Sequence, residues 1–164
     1  MVLLSLRTKP AYSGSNTRRA IFFLDILLVQ LYNRYVNEIV IDSSGILEFL
    51  LNQKSKDVVK QSVGNSRLVA PDCLPCQIGE AISKLIKKGL ISLVDGVAVY
   101  HEFTRIPIRF MEADISNSIV IAGETGCSAY DSYYISLAKQ LSLPLFTMDE
   151  AMKDMAVSRG VTCL

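Results

Sequence analysis

The sequence predicts a three-layer α/β domain, a mostly parallel sheet with helices on both faces. Short apolar runs alternate with helix-length segments, as in strand–helix–strand units whose strands lie parallel. Three carboxylate motifs stand where an apolar strand is expected to run into a helix start: Ile41-Asp42-Ser43-Ser44, Ala129-Tyr130-Asp131-Ser132 and Phe146-Thr147-Met148-Asp149. Half of the 164 residues are hydrophobic and a fifth are charged, enough to fill one core and too apolar for a disordered chain.

The β-branched run Glu38–Asp42 reads as the first strand, and Ser43 or Ser44 can cap a helix that continues through Leu51. Ser55–Val63 is a second helix, stopped by Gly64-Asn65. Arg67–Ala70 is a strand, and Pro71-Asp72 opens a helix that runs to Lys88 and ends at Gly89. Ile78, Ile82, Leu85 and Ile86 form its apolar stripe, with Gln77, Lys84 and Lys88 opposite. Ser92–Phe103 is a helix and Ile106–Phe110 a strand bounded by Pro107. Helices follow at Glu112–Thr125 and Ser128–Leu141, with Gly126 between them. Pro144–Thr147 is a strand, Glu150–Ser158 a helix, and Val161–Leu164 a last edge strand.

A net charge of +1 gives no global field toward nucleic acid. Lys84, Lys87 and Lys88 form either a local substrate-facing patch or a solvated helix face. The cysteines at 73, 76, 127 and 163 lack framework spacing, which fits a reducing cytoplasm. Residues 1–37 read as an N-terminal extension to a domain at 38–164. Its apolar stretch Ile21–Val29 follows Arg7, Lys9, Arg18 and Arg19 and is too short to span a membrane. A docked or dimer-forming helix suits it better than a signal peptide. A natural start at Val36 is a further option.

Each acid has a purely structural alternative. Asp42 can be an N-cap, Asp131 can complete a capping box with Ser128, and Asp149 can sit in the first turn of a helix beginning at Thr147. Together the acids suggest more, because carboxylates gathered at one sheet edge repel one another unless a hard divalent cation neutralises them. Cys73-Leu74-Pro75-Cys76 opens a helix after a strand, the setting of a thioredoxin-like redox pair. His101, the only histidine, supports no hydrolase triad. Tyr130, Tyr133 and Tyr134 can stack bases or fill core.

Val40-Ile41-Asp42-Ser43-Ser44, then Ala70-Pro71-Asp72 with Ile78-Gly79, then Ala129-Tyr130-Asp131-Ser132-Tyr133, then Pro144-Leu145-Phe146-Thr147-Met148-Asp149 resemble the PIN-domain nucleases. The resemblance is strongest to the VapC-like toxins of toxin–antitoxin pairs, and it runs from about Glu38 onward. It implies a PIN-like fold and a ribonuclease using Mg²⁺ or Mn²⁺, forming a homodimer and silenced by a cognate antitoxin protein. By position it assigns Asp42, Asp131 and Asp149 as catalytic metal ligands, with Ser43 and Thr147 as supporting hydroxyls. The chain departs from the family at Gln77, where a glutamate is usual. Glu80, one helical turn on, is then expected either to lean toward the site or to leave Gln77 to serve through its amide oxygen. A binding protein that keeps the fold without catalysis is the alternative that Gln77 motivates.

Overall fold

The computed structural model describes residues 37–51 and 55–164. The expectations for the N-terminal stretch lie outside these residues. In chain order the elements are β1 (Glu38–Ile41), α1 (Ser43–Leu51), α2 (Lys56–Val63), β2 (Arg67–Pro71), α3 (Leu74–Lys87), α4 (Leu93–Thr104), β3 (Ile108–Met111), α5 (Ile115–Thr125), α6 (Ala129–Leu141), β4 (Leu145–Phe146) and α7 (Glu150–Ser158). The four strands pair in the order β3-β2-β1-β4, and every pairing is parallel.

Ile39, Val40 and Ile41 of β1 are all buried. Successive side chains of a strand point to opposite faces, so both faces of β1 are covered and the three-layer expectation holds. The core continues through Val69 and Ala70 of β2, Leu74, Ile78 and Ile82 of α3, and Ile135 and Leu137 of α6. α6 packs on β1 and β2, and α5 lies against α6.

Several boundaries move for local reasons. Pro107 has no amide hydrogen to give a ladder, and β3 begins after it. The β2–α3 junction spends Asp72 and Cys73 on a turn, so α3 starts at Leu74 with Pro75 in its first turn. α5 starts at Ile115 because Asp114 caps it, accepting from the Asn117 amide at 3.0 Å. It ends at Gly126, whose φ of 73° is the left-handed conformation that glycine adopts without penalty. The last edge strand reduces to one bridge, Cys163 beside Leu145, made by two backbone hydrogen bonds at 2.8 and 3.0 Å.

Gly45 lies where α1 starts against β4. A Cβ there would stand 2.9 Å from two ring carbons of buried Phe146 and 3.3 Å from Ile41. Gly45→Ala therefore forces the ring aside, an overpacking cost of about 1–3 kcal/mol that exceeds the roughly 1 kcal/mol alanine gains as a helix former. The expected result is a lower thermal midpoint; an unchanged or higher one would show that Phe146 repacks freely.

Candidate active site

β1 and β4 are parallel neighbours, so the residues that leave them, Asp42 and Thr147, emerge at one edge of the sheet. There Asp42 is buried, with 5% of its surface exposed, and is held by three donors. Its Oδ1 accepts from the Gly45 amide at 2.9 Å and the Ser44 hydroxyl at 2.8 Å, and its Oδ2 accepts from the Thr147 hydroxyl at 3.0 Å. Behind these hydroxyls stand two amides. The Met148 amide donates to Ser44 Oγ at 2.9 Å, and the Asp149 amide donates to Thr147 Oγ1 at 3.0 Å. The turn that carries Asp149 is thereby tied to Asp42 across the sheet edge.

A carboxylate has about four lone-pair positions. Oδ1 uses both of its own, and Oδ2 accepts from Thr147. Burial pushes the Asp42 carboxyl above the ordinary carboxylate range, against the lowering effect of the Gly45, Ser44 and Thr147 hydrogen bonds. Ion pairs among the described residues include Lys84 with Glu80, Arg105 with Glu102, Arg109 with Glu38, Lys153 with Glu150 and Arg159 with Glu124. The three aspartates are outside them.

Each aspartate also does helix-start work. Asp42 caps α1 through Gly45, and Asp149 caps α7 by accepting from the Met152 amide at 3.1 Å. Asp131 forms a capping box with Ser128, whose hydroxyl donates to its carboxylate at 2.8 Å. Asp131 stands where α5 hands over to α6, not at a strand end as the sequence suggested. It is half-buried and Asp149 is exposed. Among the described residues, no three His, Cys, Asp or Glu side chains gather closely enough to hold a metal ion between them.

Tyr134, 1% exposed, connects the remaining parts. Burial pushes its hydroxyl far above the usual phenol range, and the negative charges of Cys73, Asp42 and Asp131 add to that push. The Tyr134 hydroxyl donates to Gln77 Oε1. Gln77 is therefore half-buried against α6, not on the solvent side of α3, and its amide oxygen already has a partner.

Glu80 does not lean toward this pocket. It is exposed and pairs with Lys84 at 2.8 Å, one turn along α3, and that cation lowers its carboxyl pKa. Ser44, not Ser43, supplies the hydroxyl at Asp42. Cys73 is half-buried and its thiol is pushed up by burial, then by Asp72, the reverse of what a thioredoxin-like nucleophile needs. His101 is exposed, as is Tyr130, which stands edge-on to Tyr133 with ring centroids 5.9 Å apart.

The family model described as PIN domain matches residues 39–158. The chain is similar to VapC ribonuclease Mb0985 of Mycobacterium bovis, 26% identical over 117 residues that cover 71% of this chain and 89% of that protein. Its fold is similar to PAE2754 from Pyrobaculum aerophilum, with a TM-score of 0.58 and 18% identity, covering 78% of this chain and 91% of the other. It is also similar to VapBC2 from Rickettsia felis bound to a DNA fragment from their promoter, with a TM-score of 0.54 and 11% identity, covering 77% and 97%. With the matched stretch spanning the whole sheet, Asp42, Asp131 and Asp149, this chain belongs to the PIN domain family.

Proposed function

We propose that this chain is a metal-dependent endoribonuclease, the toxin of a toxin–antitoxin pair, which hydrolyses RNA phosphodiester bonds. The observation that carries the reading is Asp42: a buried acid at a parallel sheet edge, oriented by donors from Gly45, Ser44 and Thr147. The donor set fits a hard cation. Mg²⁺ takes oxygen ligands and keeps several waters, binding through one or two carboxylates plus substrate phosphates, so it does not require three clustered acids. Mn²⁺ suits the same oxygens.

Asp42 would hold the ion directly, with Asp131 and Asp149 reaching it through its waters. When bound, it would supply charge neutralisation and a more acidic water for attack at phosphorus. Ser44 and Thr147 fix the Asp42 carboxylate in one orientation. Gln77, with its oxygen occupied by Tyr134, has its two amide hydrogens left to offer an oxygen of the substrate. The test is Mn²⁺ binding by titration calorimetry, together with cleavage of single-stranded RNA with and without chelator. Failure of the wild type to bind Mn²⁺ or cut any RNA sinks the reading.

Tyr130 would stack an RNA base beside the acids. Tyr130→Ala should weaken RNA binding by about 1–3 kcal/mol. Binding is measured without divalent metal, so that RNA stays intact; equal affinities would remove Tyr130 from the interface. The proposed protein partners are an antitoxin and a second copy of the chain, supported by exposed Leu93, Val94 and Val97 on α4 and Ile119 on α5. No described helix is long and apolar enough to cross a membrane.

A further inference from the structure

We propose that Tyr134 is a positioning residue for RNA: its hydroxyl holds the Gln77 oxygen inward, so that the Gln77 NH₂ faces outward as a metal-independent donor to a phosphate oxygen. The choice of RNA rests on the ribonuclease reading; the orientation of the amide does not.

That orientation follows from counting hydrogens. A phenol has one hydrogen to give, and a buried donor left without an acceptor is costly. Tyr134 is buried, and Gln77 Oε1 is the acceptor its hydroxyl finds among the described residues. Turned the other way, the amide would donate to the phenol oxygen and orphan that hydrogen. The oxygen therefore faces the ring and the NH₂ faces away. Among the described residues this NH₂ has no hydrogen-bond partner, and it is not one of the buried side-chain atoms that lack one, so it meets solvent.

The fold brings the donor to the edge where the acids stand. Val40 of β1 pairs with Val69 of β2, so Asp42 and Asp72, which leave the two strands, emerge at the same edge of the sheet. α3 begins just after Asp72 and Cys73, and Gln77 is its fourth residue. Tyr134 meets it from α6, one helical turn beyond Asp131 and on the same face.

Chemistry decides what the NH₂ can serve. An N–H donor cannot ligate a cation, and the oxygen that could is turned toward the ring. Side-chain amides do bind phosphate oxygens by donating hydrogen bonds. Beside carboxylates that repel an anionic backbone, a neutral donor attracts it without needing the ion. A glutamate here, usual in the family, would present an oxygen outward to a cation instead. This chain exchanges a cation contact for a phosphate contact.

The test uses the full chain and a short single-stranded RNA labelled for fluorescence anisotropy, with chelator present so that binding is read without metal. Tyr134→Phe keeps the ring in the core and releases the amide; it should weaken RNA binding roughly 3- to 5-fold. Gln77→Met keeps the length and removes the donor, for a loss of roughly 5- to 10-fold that the double variant should not exceed. In cleavage assays both losses should fall on KM, with kcat within about threefold of wild type. Mn²⁺ affinity by calorimetry should stay within about twofold in Gln77→Met. The Gln77 NH₂ signals in the NMR spectrum, identified by their loss in Gln77→Met, should shift when RNA is added to wild type. Equal RNA affinity in wild type and Tyr134→Phe, additive losses in the double variant, a loss carried by kcat, reduced Mn²⁺ affinity in Gln77→Met, or NH₂ signals unmoved by RNA each overturns the inference and leaves the ribonuclease reading standing. A wild type that neither binds Mn²⁺ nor cuts RNA sinks that reading, and this inference with it.

Discussion

Asp42→Asn is expected to abolish RNA cleavage and yet make the metal-free protein more stable. Losing the proposed cation ligand should remove several kcal/mol of transition-state stabilisation, about 10³-fold in rate. The fold gains because the replacement removes a buried negative charge without orphaning its neighbours. An asparagine oxygen still accepts from Gly45 and Ser44, and its NH₂ can donate to Thr147 Oγ1 once that hydroxyl turns toward Ser44, 3.3 Å away. The gain should be about 1 kcal/mol, of the size typical when a functional compromise is relieved. In Mg²⁺ at a hundred times its dissociation constant, wild type gains about 2.7 kcal/mol and the order of stabilities reverses. Thermal midpoints with chelator and with Mg²⁺ check this. A variant less stable than wild type in chelator would place Asp42 among ordinary caps.

The same burial sets a pH dependence. The folded-state pKa of Asp42 is raised, so the folded chain binds its proton more tightly than the unfolded chain does. Metal-free wild type should therefore gain stability relative to Asp42→Asn as pH falls from the raised folded value toward the ordinary carboxylate value. A difference that stays flat across that window contradicts the assignment.

Thr147→Val should be the most destabilising conservative change at the site. The shape is kept, but Thr147 Oγ1 is fully buried between the Asp149 amide and Asp42 Oδ2, each at 3.0 Å. Valine leaves both without that partner, a loss of about 1–3 kcal/mol. Thr147→Ser keeps the hydroxyl and should retain most of the stability. Urea unfolding gives the comparison, and an unchanged slope would assign the shift to the native contact. In the Asp42→Asn background the cost should shrink, since no buried charge then lacks its donor. Equal costs in both backgrounds would uncouple the two residues.

Much of the fold is readable from the chain alone because period and punctuation agree. Gly64, Gly89 and Gly126, which end three helices, all have positive φ. Past Glu38 and Arg67, β1 and β2 are continuous apolar runs because both their faces are covered. The finer parts of the site depend on angles that a sequence does not encode. Ser43 and Ser44 are chemically equal neighbours, and only the helical rotation between them decides which faces Asp42. Gln77 meets Tyr134 across 57 residues, a contact that neither segment signals by itself. Val161–Leu164 has strand composition but finds only one bridge beside a two-residue β4.

The bond between Thr147 and Asp42 joins positions 105 residues apart. During synthesis the amino-terminal part emerges first, and contacts this distant form late. A growing polypeptide that has yet to expose residue 147 has its first acid without the hydroxyl that orients it. An enzyme of this design would stay blunt until that stretch leaves the ribosome, a machine built of the very polymer it is proposed to cut.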